Sequence, residues 1–105
     1  MAHLTIDWVR ERVKSGQYRF SGHALKAMED DGLTLRQIVE SILSGKIIES
    51  YPDTGRGASC LISGFSAAFA IHSVCGQQSD KMLVITVYGP PDPTKWVDPY
   101  TRRKP

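Results

Sequence analysis

The hydrophobic period changes once along this chain, and that change constrains the fold more than any single residue does. Up to Gly45 the apolar residues recur at helical spacing; from Lys46 they alternate or run in short blocks bounded by Pro, Gly, Asp and Ser. The third helical segment carries the fullest signal. Thr34 and Gln37 have the spacing of a capping box, and Leu35, Ile38, Val39, Ile42 and Leu43 form a continuous stripe before Gly45. Thr5 is placed to cap a first helix over Ile6–Lys14, with Ile6, Val9 and Val13 on one face and Gly16 as its stop. Ser21 is placed to cap a second over Gly22–Asp31, with Ala24, Leu25 and Met28 on the core face and Gly32 after it. Between these two helices Gln17–Phe20 reads as a short extended piece.

Beyond Lys46 the spacing predicts strands over Ile47–Tyr51, Ala58–Ser63, Ala67–Val74 and Met82–Tyr88. Gly55-Arg56-Gly57 and Gly64-Phe65-Ser66 read as hairpin tips, and Gly76–Asp80 as a polar loop. Connections this short imply an antiparallel meander. The expected fold is α+β: three N-terminal helices packed on a sheet of about four antiparallel strands, the third helix covering one sheet face and leaving the other free for a site. At 105 residues the chain is expected to be a single domain, with 90–105 as a basic C-terminal tail. Within that tail Asp92-Pro93 has the pattern of an N-cap opening a short turn of helix through Trp96.

Composition removes several classes. The apolar runs Ala67–Ile71 and Met82–Val87 are far shorter than the roughly 20 residues of a membrane span, and Met1–Asp7 lacks the pattern of a secretory signal, so a cytoplasmic location is expected. Cys60 and Cys75 read as two buried thiols in a reducing compartment. His72 and Cys75, three apart on a strand, point to opposite faces and cannot share an ion, so neither metal nor other cofactor is expected. The net charge is +2, and its surplus lies in the second half of the chain, where Arg102-Arg103-Lys104 is a run of cations suited to phosphate contact.

The residues able to carry chemistry are few. His23 sits in the first turn of the second helix, with Lys26, Ala27 and Asp30, away from the expected core face; the helix N-terminus favours a neutral imidazole that can accept a proton, and a loop-fixing histidine is the competing reading. His72 shares a strand face with Ala68, Ala70 and Val74, either as part of a cleft floor or as a satisfied structural histidine. Tyr88 ends the most apolar strand beside a Pro-rich turn, where its hydroxyl can reach a ligand or simply contact water. There is no Gly-rich phosphate loop; Arg56 lies in a basic turn. Trp96, Tyr100, Arg102, Arg103 and Lys104 mix aromatic and cationic groups, as base stacking with phosphate contact requires, although tail packing also accounts for Trp96.

The segment His23-Ala24-Leu25-Lys26-Ala27-Met28-Glu29-Asp30-Asp31-Gly32-Leu33-Thr34, together with Ile85-Thr86-Val87-Tyr88, resembles a bacterial family of unknown function with the helix pattern H-A-x-x-R-M-x-x-R-G-I/V. That family is similar in turn to small ribonuclease toxins of the RelE, BrnT and barnase-like group, and its members are often encoded beside a small zinc-finger antitoxin-like protein. The resemblance implies an RNA substrate, a RelE/barnase-like α+β fold and such a protein partner. Two positions depart from the pattern: Ala27 and Asp31 stand where it has arginines.

The function expected from this reading is a metal-independent endoribonuclease of a toxin-antitoxin-like system, with His23, Arg102 and Tyr88 as catalytic groups and Lys26, Arg56, His72, Tyr100, Arg103 and Lys104 on the RNA. Its rival is a non-catalytic module that binds a small partner protein through a sheet edge or a cleft, which the two missing arginines favour.

Overall fold

The computed structural model describes residues 3–53, 55 and 57–104. Its first helix, α1 (Ile6–Lys14), begins where Thr5 accepts a hydrogen bond from the Trp8 backbone N–H; α2 (Gly22–Asp30) begins where Ser21 accepts one from Ala24. The third helix, α3 (Leu35–Ser44), carries the full capping box between Thr34 and Gln37. No helix is long and apolar enough to cross a membrane among the described residues.

The sheet is larger than the sequence signals. The extended piece after α1 is a strand, β1 (Tyr18–Phe20), so the helices do not all precede the sheet. With β2 (Lys46–Tyr51), β3 (Ser59–Ser66), β4 (Phe69–Gln78) and β5 (Lys81–Tyr88) it makes five strands in the order β1-β5-β4-β3-β2. The β1–β5 pairing is parallel and the others are antiparallel. Gly64-Phe65-Ser66, expected as a tip, lies inside β3; the turn falls two residues later, at Ala67 with φ 54° and Ala68. Likewise β4 runs on to Gln78, through most of the expected polar loop. The C-terminal segment is not an unstructured tail, because β6 (Trp96–Asp98) and β7 (Thr101–Arg102) form a separate antiparallel hairpin.

All three helices pack on one face of the sheet. Val9 and Val13 from α1, Ala24 from α2, and Ile38 and Ile42 from α3 are buried in one core with Cys60, Ile62, Ile71, Cys75, Val84 and Val87. Leu25, expected on that face, is 54% exposed; Ala24, Ala27 and Met28 supply the contact instead. Helix α3 comes closest to the sheet: a Cβ at Gly64 would lie 1.7 Å from the Ser41 carbonyl oxygen, so β3 is bare of a side chain where the helix crosses it. Cys60 and Cys75, directly opposed on β3 and β4, are free and buried in this core, and burial pushes the Cys60 thiol up to about 12.

Two bulges decide which side chains reach the opposite, helix-free face. In β2, Ile47 pairs with Ile62 and Glu49 with Leu61, so Ile48 is an extra residue. In β5, Val84 pairs with Cys75 and Thr86 with Val74, so Ile85 is extra. Strict alternation would put Glu49 with Ile47 and Tyr88 with Val84, on the core side. Each bulge advances the alternation by one residue and turns Glu49 and Tyr88 to the open face, beside His72 on β4.

Candidate nucleic-acid interface

The C-terminal segment returns across the open face of the sheet and docks on the residues that the bulges have turned there. Asp92 starts the return: its carboxylate Oδ1 accepts the Thr94 N–H at 2.9 Å and the Thr94 hydroxyl at 2.8 Å, and its carbonyl accepts the Lys95 and Trp96 N–H groups. Asp92 caps the segment as expected, but it opens a turn over 93–95 rather than a helix through Trp96, and Trp96 begins β6 against the sheet. Trp96 is 4% exposed, edge-on to the His72 ring with centroids 4.5 Å apart.

His72 has no exposed surface and both ring nitrogens are engaged. Because the Pro99 carbonyl can only accept, His72 Nε2 carries the proton and donates across 2.6 Å; Nδ1 is therefore the acceptor for the Tyr88 hydroxyl at 2.9 Å. Ser63 donates to the same Pro99 oxygen at 2.8 Å. Burial holds the imidazole below its ordinary value of 6.5, which favours this neutral, doubly bonded form. Of the two readings of His72, the structure fits the satisfied structural histidine, serving here to seat the C-terminal hairpin.

The hairpin's second anchor is ionic. Arg102 donates from Nε and Nη2 to the two oxygens of Glu49, at 2.8 and 2.9 Å, and its guanidinium lies over the Trp96 ring at 4.5 Å. The Tyr51 hydroxyl donates to Glu49 at 2.5 Å. These bonds, Arg102 first, keep the Glu49 carboxyl below its usual range, while burial and the neighbouring carboxylate raise the Tyr51 hydroxyl to about 12.

Between the end of the sheet and the hairpin a cleft of about 330 Å³ opens, lined by Tyr88, Pro90, Asp92, Lys95, Trp96 and Arg102. The pairing of the hairpin sets Arg103 next to Lys95: the Arg103 N–H donates to the Lys95 carbonyl at 2.8 Å, and Arg103 Nε to the Pro93 carbonyl at 2.7 Å. Lys95 and Arg102 thus place two cations on the wall of an aromatic cleft, and Arg103 follows with its backbone paired to Lys95. Tyr100, 40% exposed, stands farther along the hairpin against Phe65, with Lys46 Nζ over its ring at 4.5 Å.

The structure brings Tyr88, His72 and Arg102 together, sets Arg103 beside Lys95 and Pro93 and Tyr100 against Phe65, and leaves His23 and Lys26 apart from them. His23 is exposed on α2, in the helical layer across the sheet from Tyr88 and Arg102. Lys26 is on the same helix, exposed and paired with Asp30 at 3.0 Å. Arg56 lies outside the described residues. Asp31, one of the two departures from the arginine pattern, accepts the Gly89 N–H at 3.1 Å and so ties the end of α2 to the end of β5. Glu49, Tyr51, Ser63 and Lys95 are members of the cluster that the sequence reading did not single out, and Asp92 was read there only as a cap. The one local sign of Glu49 is a charge directly after the apolar pair Ile47-Ile48 within a predicted strand.

A family described as Domain of unknown function (DUF4258) matches residues 20–89. The chain belongs to this family. The DUF4258 match contains Glu49, Tyr51, Ser63, His72 and Tyr88 and ends at Gly89, so the hairpin that covers those side chains and completes the cleft lies beyond it. No curated protein and no solved structure matches the chain.

Proposed function

We propose that the chain acts on single-stranded RNA in the manner of small ribonuclease toxins and without a metal, holding the strand in the cleft between Tyr88 and the C-terminal hairpin. One observation carries this reading: the fold places Lys95 and Arg102 on the wall of an aromatic cleft, with Arg103 bonded to the Lys95 and Pro93 carbonyls next to it. Lys95 and Arg103 are the phosphate contacts. Arg102, already neutralised by Glu49 and laid over Trp96, serves as a flat floor for a base. For cleavage, Glu49, not itself on the cleft wall but bonded to Arg102 there, is the proton acceptor for a ribose 2′-hydroxyl, since Arg102 keeps it ionised. His72 positions Tyr88 and the hairpin, and His23 takes no part.

The rival reading, a non-catalytic module, is favoured by a specific feature: both nitrogens of the imidazole nearest the cleft are engaged, and a carboxylate held below its usual range is a weak base. A small zinc-finger antitoxin-like protein is the partner proposed under either reading. Incubating a mixed single-stranded RNA in EDTA with wild type, His23→Ala and Glu49→Gln separates them. The expected result is cutting by wild type and by His23→Ala within about twofold of each other, and a loss of roughly 100-fold in Glu49→Gln, at the low end of general acid-base effects. Because the Glu49 carboxyl titrates below 4.5, the wild-type rate should stay level from about pH 6 to pH 8 rather than bend near 6.5 as a free imidazole would impose. No cutting by any of the three removes catalysis and leaves the binding module.

A further inference from the structure

The hairpin covers only part of the open sheet face. Strand register lines up three rows of residues across it: Ser63, His72 and Tyr88 beneath the hairpin, then Glu49, Leu61, Val74 and Thr86, then Tyr51, Ser59, Gly76 and Leu83. The third row is hollow at its centre. Gly76 brings no side chain and Ser59 a small one, so a groove of about 370 Å³ lies there, with Tyr51, Pro52, Leu83 and Ile85 also on its walls. Ile85, the residue that the β5 bulge adds, fills the space over the glycine: a Cβ at Gly76 would stand 3.0 Å from its Cδ1.

The described lining residues of this groove carry no charge, so it suits the apolar face of a ring and not a phosphate. Ile85 is 36% exposed, and a ring laid against it and Leu83 would recover the cost of leaving them in water. What the ring belongs to follows from Glu49. Arg102, on the wall of the cleft beside the hairpin, and Tyr51, on the wall of this groove, donate to the same Glu49 carboxylate from its two sides. A strand that leaves the cleft toward the groove therefore crosses Glu49. On β4 the rows of His72 and Gly76 are four residues apart, about 13 Å, the length of roughly four stacked nucleotides or of fewer extended ones. Beyond Leu83 the row ends at the exposed Arg19 on β1, a cation for the backbone that leaves the groove.

We infer that the groove is a second base site for the same RNA strand: one base stacks on Arg102 in the cleft, another lies between Tyr51 and Leu83 against Ile85, and the linking ribose-phosphate crosses Glu49. This rests on the RNA reading above and adds the path of the strand. The test is competition against a labelled mixed single-stranded RNA by unlabelled mononucleotides and mixed tetranucleotides, both 2′-O-methylated so that the blocked 2′-oxygen prevents cutting. Wild type should bind the tetranucleotides at least tenfold more tightly than the mononucleotides. Leu83→Ala/Ile85→Ala should lose at least fivefold of the tetranucleotide affinity, the low end for one stacked base, and keep the mononucleotide affinity, which also reports that the cleft is folded. If the double variant loses mononucleotide binding too, Ile85→Ala alone, at a position already exposed, is read in its place. Tetranucleotides no tighter than mononucleotides on wild type, or an affinity for them unchanged in the variant, overturn the inference and leave the cleft in place. Sedimentation reads the other occupant: a wild-type dimer that the variant dissociates assigns the groove to a second copy of the chain and also overturns it. Failure of the labelled RNA to bind at all overturns the RNA reading as well.

Discussion

Replacing Gly64 by alanine is expected to lower unfolding stability by about 4 kcal/mol or more, enough to leave a domain of this size with a large unfolded fraction at 25 °C. The added Cβ would stand 1.7 Å from the Ser41 carbonyl oxygen, 2.7 Å from its carbon and 3.0 Å from the Gly45 Cα, and these are backbone atoms that no rotamer change can move aside. Relief requires lifting α3 off β3, and α3 is the element that buries Ile38 and Ile42 against Ile62. Overpacking of this kind exceeds the usual range because the obstacle is main chain. Gly22, in the first turn of α2, is the control: it has open space around it and an ordinary backbone angle, so Gly22→Ala should be neutral or stabilising by up to about 1 kcal/mol. Urea unfolding followed by circular dichroism reads both; a Gly64→Ala midpoint equal to wild type would mean that helix and strand are not in this contact.

Trp96→Ala is expected to release the C-terminal hairpin while the five-stranded core stays folded. Trp96 is the large apolar anchor of that segment, since Val97 and Tyr100 are 57% and 40% exposed. Truncating a buried tryptophan costs about 3–5 kcal/mol, as much as or more than the remaining Pro99 and Arg102 contacts supply together, because two hydrogen bonds and a partly exposed ion pair each contribute only about 1 kcal/mol. The core residues Val84, Ile71 and Ile62 lie on the other face and lose nothing. Hydrogen exchange should therefore show residues 96–102 exchanging as an unfolded peptide does while β3, β4 and β5 keep their protection, and RNA binding should disappear with the cleft. Retained protection of the hairpin would show that Trp96 does not hold it.

What the sequence disclosed follows from how local each signal is. Thr5, Ser21 and the Thr34–Gln37 pair cap their helices within three residues, so spacing alone placed all three starts. Strand β1 was seen only as an extended piece, because it owes its place to pairing with Met82–Val84, more than sixty residues away. Leu25 was assigned to the core by helical spacing, but the narrow stripe that α2 presents is filled by Ala24, Ala27 and Met28. The site was partly legible: Tyr88, His72 and Arg102 were named and do converge. Glu49 was hidden by an inserted residue, since without the Ile48 bulge strand parity sends it into the core. Lys95 and its pairing with Arg103 were hidden because a hairpin of three- and two-residue strands leaves almost no periodic trace. His23, chosen because it faces away from the core, does so on the wrong layer to meet the cleft.

The most direct measurement is the equilibrium binding of a labelled mixed single-stranded RNA, followed by fluorescence anisotropy over a range of salt, for wild type, Lys95→Ala/Arg103→Ala and Lys26→Ala. If the cleft is the RNA site, the double variant binds at least tenfold more weakly at low salt and its log-log salt slope falls by about 1.4, the share of two phosphate contacts on a single strand, whereas Lys26→Ala on the helical face matches wild type. An unchanged slope in the double variant, or a loss in Lys26→Ala as large as in the double variant, would contradict the account.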